Sequence, residues 1–94
     1  MPRYIIVRRF DVTAAEMPAV GRRSREVAEA EFPEIEWEHS HVVVDDSGTV
    51  RTYCVYGAPD EATVRQHADR LGRHEIESLG EIAGDVTPAD FPPA

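Results

Sequence analysis

The chain has 94 residues and a formal net charge of −8, because 18 acidic residues outnumber 10 basic ones. This length predicts a single domain over 1–94, with a folded core over 1–86 and a proline-rich tail over 87–94. The acidic balance disfavours nucleic acid as a partner, and no apolar stretch is long enough to span a membrane. The single cysteine, Cys54, excludes an internal disulfide and favours a reducing compartment, so we expect a cytoplasmic protein.

The first third of the chain predicts a strand followed by a helix. The strand covers Arg3–Phe10, a segment rich in β-branched and aromatic residues. Thr13 and Glu16 have the spacing of a capping box, which predicts a helix over 14–31. Pro18 is too deep in that helix for the first helical position. It therefore predicts either a kink or a regular helix that begins at Pro18 itself.

A β-hairpin is predicted in the middle of the chain. Its arms are 35–44 and 49–56, both rich in β-formers. The segment 45–48 between them carries Asp, Ser and Gly, which are typical turn residues. A four-residue loop there would pair Val44 with Thr49.

The last third predicts a second helix and a weaker strand. Asp60 is the expected N-cap of a helix over 60–71, and Gly72 is its expected stop. A final strand is predicted over 77–86, although two glycines interrupt it. The segment 87–94 carries three prolines, so we expect no regular structure of its own there.

The resulting order of elements is β-α-β-β-α-β, which indicates a ferredoxin-like α+β sandwich. Two right-handed crossovers give an antiparallel sheet of strand order 4-1-3-2 with both helices on one face. The first and third strands are apolar on both sides, so the face without helices needs a cover. A second copy of the chain is the simplest cover, and we expect a homodimer.

Potential metal ligands cluster in the hairpin. With a four-residue loop, His39 would lie opposite Cys54, and His39, His41, Cys54 and Tyr56 would project from one face. Two imidazoles at alternate positions of a strand are about 6–7 Å apart, which suits chelation of one ion. Imidazole and thiolate favour nickel, zinc or copper over magnesium or calcium. One additional residue in the loop would destroy this grouping.

Other interpretations of the same residues remain open. His67 lies on the apolar stripe of the second helix, so it is either a fourth ligand that meets Cys54 or a hydrogen-bonded core residue. Cys54 itself suits a small buried hydrophobe. His41, near the hairpin tip, also suits a solvated surface position. A Cys–His catalytic pair lacks an orienting carboxylate or an oxyanion-hole element, which favours a binding protein over an enzyme.

Three sequence segments resemble a family of small bacterial proteins known as a domain of unknown function. That family includes actinobacterial nickel-binding proteins of ferredoxin-like fold. The segments are Trp37-x-His39-Ser40-His41, Tyr53-Cys54-Val55-Tyr56-x-Ala58-Pro59 and Val64-Arg65-x-His67-Ala68.

The resemblance implies a ferredoxin-like fold, a dimer and binding of a divalent metal ion, with no established reaction. His39, Cys54 and His67 match the family pattern as ligands. His41 stands where the family commonly has tyrosine, and is a further candidate.

Two functional hypotheses follow, beside that of a plain interaction domain. The first is a nickel-binding protein for sequestration or delivery, with His39, Cys54, His67 and His41 as ligands and zinc or copper as alternatives to nickel. The second is a small-molecule-binding module or small enzyme of the dimeric α+β barrel kind. Its pocket would lie between sheet and helices, lined by His67 and by aromatic residues at Trp37, Tyr53 or Tyr56. Such folds host many functions, so the fold alone does not decide between them.

Overall fold

The computed structural model describes residues 1–93 as one four-stranded antiparallel sheet and two α-helices. In chain order the elements are β1 Arg3–Phe10, a 3-10 turn Ala14–Glu16, α1 Met17–Glu31, β2 Glu36–Val44, β3 Val50–Gly57, α2 Glu61–Leu71, β4 His74–Glu81 and a second 3-10 turn Pro88–Asp90. The strand order is β2-β3-β1-β4, which confirms the predicted ferredoxin-like order 4-1-3-2. No helix in the described residues has the length and apolar character needed to cross a membrane.

The core lies between the sheet and the two helices. Alternate residues of β1 are buried, as expected for a strand with one covered face. Tyr4 and Ile6 pack with Val64 and Ala68 of α2. At the other end of the strand, Phe10 belongs to a second cluster that includes residues of α1 and α2. Both helices therefore cover the same face of the sheet.

The caps predicted from the sequence begin both helices. Glu16 accepts a hydrogen bond from the backbone N–H of Thr13 at 3.0 Å. The first turn is 3-10, and the α-helix begins at Met17, so Pro18 lies in its first turn, where a missing N–H costs little. Asp60 accepts a hydrogen bond from the Thr63 N–H at 2.8 Å and caps α2.

The predicted bounds of the last strand are wrong, and so is the expectation that the tail has no regular structure. β4 begins at His74, three residues before the expected position, and ends at Glu81. Gly72 and Arg73 both have positive φ, at 69° and 60°, so the chain reverses at once after α2 and His74 pairs with Phe10. The tail also contains the 3-10 turn Pro88–Asp90, which Thr87 begins through a hydrogen bond from its N–H to Asp90.

The register of the hairpin also differs from the prediction. Val44 pairs with Val50 and not with Thr49, so five residues separate the two strands. This shift of one residue puts Ser40, not His39, opposite Cys54. A bulge between Trp37 and His39 then adds one residue to β2 and restores the predicted pair of Trp37 and Tyr56.

The face of the sheet without helices has an apolar centre. Ile5, Val7, Tyr53 and Val55 pair with one another across β1 and β3 on this face, which we call the open face. Ile5 is 41% exposed and Tyr53 is 36% exposed. Ion pairs lie at both ends of the open face: Arg3 with Glu38 and Asp85 at one end, and Arg9 with Glu75 and Arg51 with Asp45 and Glu77 at the other.

Replacement of the N-cap of α2 should destabilise the fold. Asp60→Ala removes the acceptor of the Thr63 N–H, and loss of such a cap typically costs about 1 kcal/mol. We expect a reduction of that size in the free energy of unfolding, measured by urea denaturation. Asp46→Ala, at an exposed position of the hairpin turn, is the matched control and should change stability little. Equal effects of the two substitutions would contradict the role of Asp60.

Candidate functional site

Two histidines stand side by side on the open face. His39 pairs with Val55 and His41 pairs with Tyr53, and cross-strand partners project from the same face of a sheet. Both side chains are exposed, and their ring centroids are 5.4 Å apart. The pair of imidazoles predicted from the sequence is therefore present on one face, within reach of a single ion.

Cys54 lies on the opposite face, in the core. Its side chain is 1% exposed, and its sulfur accepts a hydrogen bond from Nη2 of Arg8 at 3.3 Å. The same Nη2 donates to the hydroxyl of Tyr56 at 3.1 Å. Burial raises the pKa of that hydroxyl, and the positive charge of Arg8 offsets part of the effect. A guanidinium beside the thiol disfavours a metal cation at this position, because the two positive charges repel.

His67 is a buried residue of the same polar cluster. Its Nε2 donates a hydrogen bond to the carbonyl oxygen of Ser24 at 3.0 Å, which joins α2 to α1. The ring also meets Tyr56 and Phe32 edge-on, with centroids 5.8 Å apart in each case. Burial lowers the pKa of His67, the Ser24 carbonyl opposes that effect, and the charge of Arg8 reinforces it. The ring is thus held neutral with its proton on Nε2.

The four candidate ligands therefore do not share one site. The grouping of His39 and His41 with Cys54 and Tyr56 is wrong, because the five-residue turn moves both histidines to the open face. No group of three or more His, Cys, Asp or Glu side chains suited to one metal ion occurs in residues 1–93. Within one chain, His39 and His41 remain candidate ligands of one metal ion. His67 and Cys54 lie in the interior, away from this pair.

A groove of about 630 Å³ lies between α1 and the sheet. β2 is exposed along almost its whole length, because α1 leaves its inner face uncovered. Trp37 lines the groove, and its indole N–H donates to the Ser40 hydroxyl at 2.9 Å. Of the aromatic residues predicted for such a pocket, Tyr56 is buried close to Trp37, with ring centroids 6.3 Å apart. Neither Tyr56 nor Tyr53 is among the described residues that line the groove, and Tyr53 projects from the open face.

Arg8 is the functional candidate that the sequence analysis missed. Its side chain is 3% exposed and lines the groove. The signal was present in the first strand, where Tyr4, Ile6, Arg8 and Phe10 alternate on the core-facing side. An arginine at a core-facing position of a central strand is unusual and points to a specific role, because burial of an ion is costly.

Comparison with known proteins identifies one family. The model of the family described as nickel responsive protein SCO4226-like matches residues 4–82, which agrees with the resemblance found in the sequence. No curated protein matches the chain.

Among solved structures, SCO4226 from Streptomyces coelicolor A3(2) is similar with a TM-score of 0.64 and 21% identity, over 89% of this chain and 99% of that one. The C-terminal domain of MgtC from Mycobacterium tuberculosis has a TM-score of 0.60 at 9% identity, over 89% of this chain and 88% of that one. A de novo designed protein, Foldit4, has a TM-score of 0.61 at 15% identity, over 90% of this chain and 100% of that one. At these identities the structural likeness shows the fold alone.

The burial of His67 should make stability depend on pH. Its pKa is lowered in the folded state, so the unfolded chain takes up the proton first as the pH falls below the ordinary histidine value of about 6.5. The free energy of unfolding should therefore decrease from pH 7 to pH 5, and His67→Gln should reduce this dependence. Part of the pH dependence should remain in His67→Gln, because burial also lowers the pKa of His74.

Urea denaturation at a series of pH values measures this effect. His41→Gln, which changes an exposed ring, is the control and should leave the dependence as it is in the parent chain. An identical pH profile in the parent and in His67→Gln would show that His67 is not the group responsible.

Proposed function

Because this chain belongs to the family of SCO4226-like nickel responsive proteins, we propose that it binds a divalent transition metal ion, nickel foremost, for sequestration or delivery. The observation that carries the proposal is the pair of exposed imidazoles of His39 and His41, with ring centroids 5.4 Å apart. Imidazole is a suitable ligand for nickel, zinc and copper. The single cysteine favours a reducing compartment, so the proposal places this binding in the cytoplasm.

The site fits a transferable ion better than a permanently held one. His39 and His41 supply two donors, and no third His, Cys, Asp or Glu donor of residues 1–93 completes the group. The remaining coordination positions would be filled by water or by donors of another molecule. An ion held by two exposed side chains exchanges more readily than one in a closed four-ligand site. This property suits a protein that collects and passes on its metal.

The interior is the less suitable place for a cation. The Cys54 sulfur lies 3.3 Å from a guanidinium nitrogen of Arg8. The Nε2 of His67 is already hydrogen-bonded to Ser24. A metal ion there would have to overcome both the repulsion by Arg8 and the loss of that hydrogen bond.

The proposal includes a homodimer formed through the open face. Ile5 at 41% and Val43 at 45% exposure are large apolar side chains that water would otherwise cover. The ion pairs at both ends of the face provide a polar rim around this apolar centre. Contact between two open faces would also bring the histidine pair of each chain to the interface region.

Nickel binding should depend on the two exposed histidines. We expect His39→Gln and His41→Gln each to raise the dissociation constant for Ni²⁺ by about tenfold or more, because each removes one of two protein donors. Calorimetric titration of protein without a polyhistidine tag measures the change. Cys54→Ala is the matched control and should bind as the parent does. Loss of binding in Cys54→Ala with normal binding in both histidine variants would place the metal in the interior and contradict the proposal.

The dimer should depend on the centre of the open face. Sedimentation equilibrium at micromolar concentration should give twice the chain mass of 10.5 kDa for the parent. Ile5→Glu should give the single-chain mass, because it places a charge in the apolar contact. Ala30→Glu, on an exposed position of α1, should leave the dimer intact. A parent that sediments only as a single chain would refute the proposed interface.

A further inference from the structure

Three buried polar residues of one groove hold side-chain atoms without a protein partner. In residues 1–93 these atoms are Nε and Nη1 of Arg8, the Ser24 hydroxyl and the Thr52 hydroxyl. Arg8, Ser24 and Thr52 are each at least 96% buried, and all three line the groove between α1 and the sheet. Buried polar atoms in native proteins are nearly always hydrogen-bonded. Their convergence on one groove therefore points to a polar ligand group.

Because Arg8 carries a positive charge, the ligand group that fits beside it is negatively charged. A guanidinium stays protonated at every pH a protein experiences. Within residues 1–93 no Asp or Glu side chain forms an ion pair with Arg8, whereas the adjacent Arg9 pairs with Glu75. The hydrogen-bond acceptors of Arg8 are the sulfur of Cys54 and the hydroxyl of Tyr56, and its guanidinium carbon lies 5.4 Å from the ring centre of Phe10. A buried cation without a carboxylate partner is best compensated by an anion.

The walls of the groove define the rest of the ligand. They are largely apolar and are formed by Phe10, Met17, Val20, Trp37, Val42 and Leu71. Glu38, whose carboxylate forms an ion pair with Arg3, and His39 also border the groove. A single guanidinium in a protein of net charge −8 favours an anion of one charge over a phosphate of higher charge. The unpartnered nitrogens of Arg8 are covered, so a ligand reaches them when a wall side chain moves. Met17, with its flexible thioether side chain, and the half-exposed Trp37 are suited to that movement.

We infer that this groove binds an organic monocarboxylate, with the carboxylate on Arg8 and the hydrocarbon part against the apolar wall. The hydroxyls of Ser24 and Thr52 supply further donors to the carboxylate oxygens. This site centres on Arg8, which lies on the opposite face of the sheet from the strand positions of His39 and His41, although His39 also borders the groove. It makes the protein a carrier or sensor of a small apolar acid.

Octanoate is a suitable probe, and octanamide is its neutral counterpart. Titration of the isotope-labelled protein with octanoate should give saturable NMR shifts of the Arg8 Nε–H and of the Trp37 indole N–H. Octanamide and inorganic phosphate should each bind at least about tenfold more weakly, because one lacks the charge and the other lacks the apolar part. Equal binding of octanoate and octanamide would show an apolar groove with no carboxylate site and would overturn the inference.

Two adjacent arginines provide a matched pair of variants. Arg8→Met should raise the dissociation constant for octanoate by about tenfold or more, while Arg9→Met, on the open face, should leave it unchanged. A second variant covers the case in which Arg8→Met does not fold. Gly21→Leu fills the groove from α1, where a Cβ meets no atom within 4 Å, and leucine also favours the helix. It should abolish octanoate binding in a folded protein, and retained binding would contradict the inference.

Discussion

The turn at Asp45 determines which residues of β2 face the core and which face outward. One carboxylate oxygen of Asp45 accepts hydrogen bonds from the backbone N–H groups of Ser47 and Thr49, at 2.9 and 3.0 Å. The hydroxyl of Ser47 also donates to it and is the largest cause that holds the pKa of Asp45 below its usual range. Gly48, with φ at 86°, completes the reversal. These bonds hold five residues between the strands, and a loop one residue shorter would exchange the two faces of β2.

The two faces of the sheet consequently carry opposite chemistry. Outward, the imidazoles of His39 and His41 are exposed to water, on a protein whose net charge is negative. Inward, the guanidinium of Arg8 creates a positive potential that disfavours cations and favours anions. The same charge helps to keep His67 neutral, and His67 in turn fastens α2 to α1 through Ser24. Arg8 thus affects the packing of the helices, through the neutral state of His67, and also the electrostatic potential of the groove.

The order of elements and of strands was predictable because local patterns define them. The alternation of β1, the cap at Asp60 and the hairpin composition each indicate one structure, and they agree with one another. The inward position of Arg8 was also available from that alternation. The register of β2 was not, because the five-residue loop differs from the four-residue loop only by Thr49, whose backbone N–H donates to Asp45 in the folded chain.

Two further features could not be predicted from the sequence. The bulge between Trp37 and His39 lies in a strand of ordinary composition, and tertiary pairing alone decides its place. The positive φ of Arg73 belongs to a residue type that seldom adopts it, so the early start of β4 could not be inferred. The bulge and the early start of β4 change individual strand pairs, whereas the five-residue turn changes the face of His39 and His41. The fold was therefore predictable while the ligand grouping was not.

An NMR titration with Ni²⁺ that follows the ring signals of all four histidines tests most directly whether the ion binds at His39 and His41, as proposed, and not on the face of the sheet that carries Arg8. The structure predicts that the signals of His39 and His41 shift or broaden together at substoichiometric Ni²⁺, before those of His67 and His74. A first and strongest response at His67 would place the cation on the same face as Arg8 and would contradict the account.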